Sequence, residues 1–311
     1  MTVRVPALAK INLDLRVLAR RDDGYHELRT IFHTISLADS LEISFTRARK
    51  TAITLAGSSI PDNLAVRAAT AAMDVMRAAG RVEMRLAKRI PMGAGLGGGS
   101  SDAAAVLLAL PVLAGRAIPL PQLCRLAEQL GSDVPFFLLG GAAVGIGRGS
   151  ELFPLPDSRP EPGVLLCPDV HVSTAEAYRL LSANLTTALR ENKMFTFQSQ
   201  TWEWGTRHQG SNDFEAVVFK HHGRLAVLKR RLLQAGAVCA MMTGSGSAIF
   251  GLFRTAAEAN VAAGSVRGPE VVGRVFRFRL VNRARYRFLW WRALQEHTGA
   301  NTWPPQSRYL R

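Results

Sequence analysis

The 311-residue chain has little cysteine and no long hydrophobic run. Its cysteines, Cys124, Cys167 and Cys239, are odd in number and far apart, which excludes a disulfide framework or a cysteine metal site and favours a reducing compartment. The uncharged stretch 235–253 contains four glycines and several hydroxyl residues, so it is a poor membrane span. The first residues, MTVRVP, contain no apolar signal core. We therefore expect a cytoplasmic protein with no membrane partner.

Acidic residues are also scarce, because 24 of them face 39 basic residues and leave a net charge of +15. Such a balance favours anionic partners, with nucleic acid as the first candidate. However, residues 267–311 hold ten arginines against two glutamates, which is more than half of the excess charge. The charge therefore marks a basic tail, and nucleic-acid binding through that tail is a non-enzymatic alternative.

The most informative stretch that is present is PMGAGLGGGSSDAAA at residues 91–105, with five glycines between 93 and 99. A strand is predicted over 82–88, and an Ala/Leu-rich helix follows the glycines to residue 113. Glycine lets a backbone approach a ligand closely, and a helix start presents free N–H groups and a positive dipole end. The order of strand, glycine loop and helix predicts a phosphate cradle; a flexible turn is the alternative.

Three common phosphate motifs are missing from this loop. No Gly-Lys-Ser/Thr follows the last glycine, which excludes a Walker-type P-loop. The loop begins only at residue 91, after several predicted strands, whereas a dinucleotide fingerprint opens a βαβ unit. No His-Arg-Asp or Asp-Phe-Gly follows, which excludes a protein kinase. A less common kind of phosphate site remains.

Phosphoryl transfer requires a cradle, a cation and a group that accepts the hydroxyl proton. Lys10 and Lys88 are candidate cations, and Asp133 and Asp102 are candidate bases. Each also has a simpler interpretation. Asp133 is equally placed to cap a short helix, Asp102 is favourable in any first helical turn, and Lys10 fits an exposed strand lysine. The local sequence leaves these alternatives open.

Several ordered motifs resemble those of the GHMP kinases, the group of galactokinase, homoserine kinase, mevalonate kinase and phosphomevalonate kinase. Residues 91–104 resemble the glycine-serine signature, ALAKINL at 7–13 the first motif, and TGSG at 243–246 the third. DGYHEL, GSDVPF and NDFE, which begin at residues 23, 131 and 212, are similar to motifs of the members that act on a cytidine diphosphate-linked polyol. The resemblance runs from about residue 3 to 280, with 184–211 poorly matched.

The resemblance implies an α+β, two-domain GHMP-kinase fold with its active site in the cleft between the domains. We expect an N-terminal mixed α/β domain with the ATP loop over 1–155 and a ferredoxin-like α+β domain over 156–285. The proline-rich segment 154–162 marks the boundary between them. The Trp/Arg-rich tail, counted as 286–311, extends past the usual end of the fold and is expected to be weakly ordered. The oligomeric state is not predicted.

The reaction implied is ATP-dependent phosphorylation of the 2-hydroxyl of 4-diphosphocytidyl-2-C-methyl-D-erythritol, a step of the non-mevalonate isoprenoid route. Another small-molecule kinase of the family, of the homoserine or mevalonate type, is the alternative, although those kinases do not need Gly-Tyr-His after the first strands. ATP and Mg²⁺ are the cofactors implied, and no nucleic-acid partner is expected.

Residue roles follow from the resemblance, position by position. Asp133 is the implied base, beside the catalytic Lys10. The implied substrate-binding residues are Asn12, Tyr25, His26, Thr174 and Tyr178. The implied ATP-binding residues are Asn63, Leu64, Lys88, Pro91, Gly93, Gly95, Leu96, Gly97, Gly98, Gly99, Ser100 and Ser101. Ser100 or Ser101 lies near Mg²⁺, with Ser101 as the metal candidate. The second glycine turn contributes Gly244, Ser245 and Gly246.

Overall fold

The computed structural model describes residues 1–182, 194, 197–198, 201, 210–266, 273–299 and 302–309. Its first half is built on a six-stranded sheet with the order β3-β4-β2-β5-β6, and β1 pairs with β2 beside that path. All pairs are antiparallel except β3 with β4. The strands are β1 Thr2–Arg20, β2 His26–Arg47, β3 Ala52–Ala56, β4 Gly80–Ala87, β5 Ala142–Gly147 and β6 Glu151–Pro154.

Period-two alternation at 3–5 and 11–17 predicts two short strands separated by a link at 6–9, whereas the structure has the single strand β1. Pro6 pairs with Ser40 of β2 at the edge of the sheet. A proline is tolerated there because an edge strand does not need every backbone N–H for the sheet ladder. The continuous strand carries Lys10 and Asn12 into the centre of the molecule.

Four helices pack on this sheet: α1 Leu64–Val75, α2 Gly98–Ala114, α3 Leu120–Leu130 and α4 Val134–Leu139. The central one is α2, because every residue from Ser101 to Ala114 is buried. A helix that is apolar on all sides belongs in a core. In the part of the chain that the structure describes, no helix is long and apolar enough to cross a membrane.

The sequence predicts a helix over 64–79 with Asn63 as its cap and Gly80 as its stop, but α1 ends earlier. Asn63 caps the start as expected, since its Oδ1 accepts from the Ala65 N–H at 2.9 Å. The helix ends at Val75 because Arg77 adopts a left-handed conformation with φ +48°. Gly80 instead begins β4, where a side chain would run into the Phe45 ring.

The second half has a four-stranded antiparallel sheet with the order β10-β7-β9-β8. Taken along the chain, this order is fourth, first, third, second, which is the ferredoxin-like arrangement expected from the sequence. The strands are β7 Pro162–Pro168, β8 Cys239–Met242, β9 Ile249–Leu252 and β10 Gly273–Arg279. The helices are α5 Thr174–Ser182, α6 Glu215–His221, α7 Gly223–Gln234 and α8 Ala256–Ser265.

Three buried clusters hold these layers together. One lies between the first sheet and its helices, and a second between the second sheet and α5–α8. The third contains Ala9 and Ile11 of β1 together with Leu165 and Phe250 of the second sheet. Because side chains alternate along a strand, Lys10 and Asn12 point away from this third cluster and face the cleft, where residues from both halves of the chain line one cavity.

The described part of the basic tail, 286–299 and 302–309, packs onto the core of the first half, so the expectation of weak order is wrong there. Helix α9, Arg283–Leu294, begins at Asn282, whose Oδ1 accepts from the Arg285 N–H at 2.9 Å. Tyr286, Trp290 and Leu294 lie four residues apart and are buried in the core of the first sheet. The arginines between them concealed this apolar face in the sequence.

We expect Trp290→Ala to lower the free energy of unfolding by about 3–5 kcal/mol, because truncating a large buried aromatic residue leaves a cavity. Phe288→Ala is the matched control. That ring is 46% exposed on the same helix, so its loss should cost less than about 0.5 kcal/mol. Urea unfolding of both variants measures the difference, and equal stabilities would show that α9 contributes little to the core.

Candidate active site

Two neighbouring cavities meet at the glycine loop. The larger, of about 950 Å³, lies in the cleft, and the smaller, of about 370 Å³, lies between the loop and the start of α1. Gly95, Gly97 and Ser100 line both cavities. A molecule in one cavity therefore reaches the other at the N-terminus of α2, which is the arrangement that transfer of a group between two ligands requires.

The predicted residues divide between the two cavities. The larger cavity is lined by Lys10, Asn12, Tyr25, His26, Asp133, Thr174, Tyr178, Gly244 and Ser245. The smaller one is lined by Asn63, Leu64, Lys88, Pro91, Gly93, Gly95, Leu96, Gly97, Gly98, Gly99 and Ser100. Two predicted residues line neither of these cavities: Ser101 and Gly246.

Lys10 and Asp133 lie together at the inner end of the larger cavity. The Lys10 Nζ is 3.4 Å from the Asp133 Oδ2 and donates to the Asn12 Oδ1 at 2.8 Å. Lys10 is only 4% exposed, whereas the Asp133 side chain is 34% exposed. Lys10 is therefore not the solvated strand lysine that its local sequence allows, and the accessible partner of the pair is the carboxylate.

Asp133 stands directly before α4, where the sequence left helix capping and catalysis equally open. The helix geometry argues against capping, since the described structure contains no capping hydrogen bond from the Asp133 side chain. Its carboxylate instead faces Lys10 across the cavity. An acceptor positioned beside a cation and not engaged by its own helix is suited to take a proton.

Asn12 is fixed by hydrogen bonds to β2 and to the second glycine turn. Its Nδ2 donates to the Thr30 Oγ1 at 2.8 Å, and its backbone N–H donates to the Thr243 Oγ1 at 3.0 Å. Thr30 in turn donates to the Asp14 carbonyl at 2.6 Å. The sequence pointed to Asn12 but missed Thr30 and Thr243, because contacts between residues so far apart in the chain leave no local signal.

The second glycine turn packs directly against the first. A side chain at Gly95, whose φ is +76°, would overlap the Thr243 carbonyl, so only glycine permits this approach. Asn212 holds the turn from the other side, with its Nδ2 donating to the Gly244 carbonyl at 2.7 Å and to the Met242 carbonyl at 2.8 Å. Asn212 belongs to the NDFE motif, although its role in supporting this turn was not predicted.

The glycine loop ends in the N-terminus of α2. Gly97, with φ +67°, precedes the helix, and the described structure shows no side chain capping it. The first N–H groups of α2 therefore remain available to an anion. Ser100 faces both cavities, but the Ser101 hydroxyl donates to the Leu8 carbonyl at 2.7 Å and is buried. Of the two serines, Ser100 is therefore the one whose hydroxyl reaches a cavity.

Lys88 bridges two carboxylates in the wall of the smaller cavity. Its Nζ donates to the Asp39 Oδ2 at 2.5 Å and to the Asp102 Oδ2 at 2.9 Å. Asp39 also accepts from the Arg89 and Ile90 N–H groups. Burial raises the pKa of Asp102 to about 7, although Lys88 opposes that shift. Because the Asp102 carboxylate is buried and paired with Lys88, it is positioned to hold Lys88 in the wall of the cavity.

Aromatic rings also line the larger cavity. The His26 and Tyr178 rings are stacked with centroids 4.6 Å apart, and Tyr178 meets Phe214 edge to face at 4.7 Å. Tyr25 is half exposed, with the Arg148 guanidinium 3.5 Å from its ring centroid. Arg148 was not predicted, and an arginine between two glycines was the only signal for it.

Burial is the main influence on the pKa values of His26 and Tyr178. Burial and the nearby Arg20 charge lower the pKa of His26, so the imidazole is neutral at neutral pH. A neutral imidazole donates from one nitrogen and accepts at the other, as the edge of a nucleobase requires. Burial and the Asp133 charge raise the pKa of Tyr178, which keeps its phenol protonated.

Thr174 connects the aromatic end to the second glycine turn. Its hydroxyl lies 2.9 Å from the Ser245 hydroxyl, so the start of α5 is held against that turn. Gly246 is turned away from the cleft and lies against the Met242 side chain. The turn therefore contributes Gly244 and Ser245 to the cavity, while Gly246 shapes the backbone.

Comparison with known families agrees with this geometry. The family model "GHMP kinases N terminal domain" matches residues 63–141, and "GHMP kinases C terminal" matches residues 200–268. A protein of Solibacter usitatus named 4-diphosphocytidyl-2-C-methyl-D-erythritol kinase is 65% identical, covering 97% of this chain and 96% of the relative. The chain belongs to the GHMP kinase family. As a member, it is an ATP-dependent small-molecule kinase, which confirms the family and enzyme class inferred from the motifs.

Further GHMP kinases show how far the likeness extends. A protein of the same name from Pelotomaculum thermopropionicum is 39% identical over 90% of this chain and all of the relative. A crystal structure of 4-(cytidine 5'-diphospho)-2C-methyl-D-erythritol kinase is 37% identical, with a TM-score of 0.74 and coverage of 89% of this chain and 98% of that one. Homoserine kinase from Cytophaga hutchinsonii is only 16% identical at the same TM-score, covering 92% and 96%. At that identity, the match to the homoserine kinase shows a shared fold and nothing about the substrate.

Proposed function

We propose that this chain transfers the γ-phosphoryl group of ATP to the 2-hydroxyl of 4-diphosphocytidyl-2-C-methyl-D-erythritol, giving the 2-phosphate and ADP in the non-mevalonate isoprenoid route. The observation that carries the proposal is the Lys10–Asp133 pair, which lies in the larger cavity near the glycine loop shared with the smaller one. The acceptor occupies the larger cavity and the nucleotide the smaller one.

In the chemical step, the substrate O–H bond breaks and its proton passes to the Asp133 carboxylate. The freed oxygen forms a bond to the γ-phosphorus, and the bond from that phosphorus to the β-γ bridging oxygen breaks, leaving ADP with the electron pair. Lys10 places a positive charge beside the attacking oxygen, where negative charge develops. Asn12 holds the Lys10 ammonium in place through its Oδ1.

The nucleotide end fits an ATP phosphate chain. The first N–H groups of α2 and the backbone of Gly95–Gly97 form a cradle in which the close packing of Gly95 and Gly97 leaves no room for side chains, and Ser100 adds a hydroxyl. A magnesium ion bound with the nucleotide would be held by Ser100 and the phosphates, and would neutralise phosphate charge. Across the described residues, no cluster of three or more His, Cys, Asp or Glu side chains offers a separate metal site.

The acceptor end favours a cytidylyl compound over homoserine or mevalonate. Those smaller acceptors have no ring to stack, whereas Tyr25 and Tyr178 present aromatic faces beside the neutral His26. Overall shape does not separate these alternatives, because the homoserine kinase superimposes as well as the cytidylyl kinase. The 65% identity to a relative named for the cytidylyl substrate does favour the cytidylyl acceptor.

The proposed location is the cytoplasm. The chain's three cysteines are free thiols, with Cys167 and Cys239 buried and Cys124 exposed. Unpaired thiols are typical of proteins in a reducing compartment. The nucleotide and its cytidylyl acceptor are then the partners of the protein.

We expect Asp133→Asn to lower kcat by about 10³-fold with the cytidylyl acceptor, within the range that general bases contribute, while the Kd for ATP changes less than about twofold. Asp74→Asn is the matched control, since it removes a carboxylate from the exposed side of α1 and should leave kcat unchanged. Transfer of radiolabelled phosphate measures kcat, and nucleotide titration measures the Kd for ATP. An Asp133→Asn enzyme with near-normal turnover would contradict the assigned base, and a wild type that prefers homoserine or mevalonate would contradict the substrate.

We expect His26→Ala to raise the KM for the cytidylyl acceptor by about tenfold, because the cavity loses both a stacking surface and a partner for the base edge. The KM for ATP should change less than about twofold, since His26 lines the larger cavity. His221→Ala, on the exposed side of α6, serves as control. Steady-state kinetics with each substrate varied in turn measure the split, and equal effects on both KM values would place His26 outside the acceptor site.

A further inference from the structure

Helix α4 has an unusual way of ending. It comprises only six residues, and its carbonyl groups near the C-terminus have no partners within so short a helix. The Phe136 carbonyl accepts from the Gly140 N–H at 2.8 Å, as a normal helix end allows. The next two carbonyls, of Phe137 and Leu138, are instead satisfied from the far end of the chain.

Two aromatic side chains of the C-terminal segment, residues 282–299 and 302–309, supply those partners. The Tyr286 hydroxyl donates to the Phe137 carbonyl, and the Trp303 indole N–H donates to the Leu138 carbonyl at 2.8 Å. The two rings meet edge to face with centroids 6.0 Å apart. Together they bond two successive backbone carbonyls of the helix that Asp133 begins.

The turn after α4 is shaped to receive this segment. Gly140 has φ +67°, and a side chain there would overlap the Tyr286 ring. Beyond the turn, the Arg283 guanidinium donates to the Ala142 carbonyl and, at 3.0 Å, to the Leu155 carbonyl. The C-terminal segment thus contacts the chain over the end of α4, the turn that follows and the start of β5.

We propose that the C-terminal segment acts as the C-terminal cap of α4 and thereby holds Asp133 at its distance from Lys10, with Tyr286 and Trp303 as positioning residues. Asp133 sits at one end of a helix of less than two turns, so a change at the carbonyl end moves the carboxylate. The inference rests on the proposed role of Asp133 as base. It gives the basic tail a part in the reaction although no residue of that tail lines the larger cavity within the described residues.

The test is Trp303→Phe, which removes the N–H donor while keeping an aromatic ring. We expect kcat to fall about threefold to tenfold, with both KM values changing less than about twofold. Trp291→Phe is the matched control. Its indole N–H donates to the Thr302 carbonyl within the segment at 3.3 Å, and its ring packs against Trp303, so it loses equivalent interactions without releasing an α4 carbonyl.

Combining each change with Asp133→Asn separates the inference from the proposed function. If Trp303 acts through Asp133, Trp303→Phe lowers kcat in the wild type but not in Asp133→Asn. Equal effects of Trp303→Phe and Trp291→Phe, an effect on KM alone, or the same loss in the Asp133→Asn background would each overturn the inference. Near-normal activity of Asp133→Asn alone would instead overturn the proposed base. Should Trp303→Phe fail to fold, Tyr286→Phe carries the same comparison through the Phe137 carbonyl.

Discussion

The structure depends on a lysine ammonium that is almost completely buried at the centre of the molecule. An unpaired charge in that position would be strongly destabilising, and only several partners together can offset its desolvation. The Lys10 Nζ has the Asn12 amide oxygen, the Asp133 carboxylate and the Phe32 ring face, 5.2 Å from the ring centroid. Since these partners come from β1, β2 and the start of α4, folding brings together the groups that the proposed reaction uses.

The glycine loop places the Lys10 charge next to two cavities at once, because the loop forms a wall that both cavities share. Gly95 approaches the Thr243 carbonyl so closely that the first and second glycine turns form one surface. Thr243 in turn holds the backbone of Asn12, which holds Lys10. In the proposed function, one connected set of hydrogen bonds positions a nucleotide at the loop and an acceptor beside Lys10, and such positioning lowers the barrier to phosphoryl transfer.

Features encoded by neighbouring residues could be predicted from the sequence. The strand, glycine loop and helix around residues 82–113 are local, and so is the Asn63 cap. The roles of Asp133 and Lys10 could only be inferred by resemblance, since their pairing joins residues that are distant in the chain. The sequence motif did not separate Ser100 from Ser101, because adjacent helical residues point in different directions, so that Ser100 faces the cavities and Ser101 faces β1.

The C-terminal segment shows a second reason why the sequence pattern could not predict the structure. Tyr286, Trp290 and Leu294 have helical spacing, but arginines dilute the apolar signal until the stretch resembles a solvated tail. What Trp303 contacts depends on the turn after α4, which no local pattern reveals. Tertiary packing therefore accounts both for the folding of this segment and for its contact with α4, and neither could be predicted from the local sequence.

The most direct test of the central claim is the rate of phosphate transfer in a single turnover by Lys10→Met, which keeps a long unbranched side chain but removes the charge. With enzyme in excess over labelled ATP and saturating cytidylyl acceptor, we expect the rate to fall by about 10²–10³-fold while the ATP Kd and the fold are retained. A chemical step close to that of the wild type would contradict the account, because the buried charge would then serve folding and not catalysis.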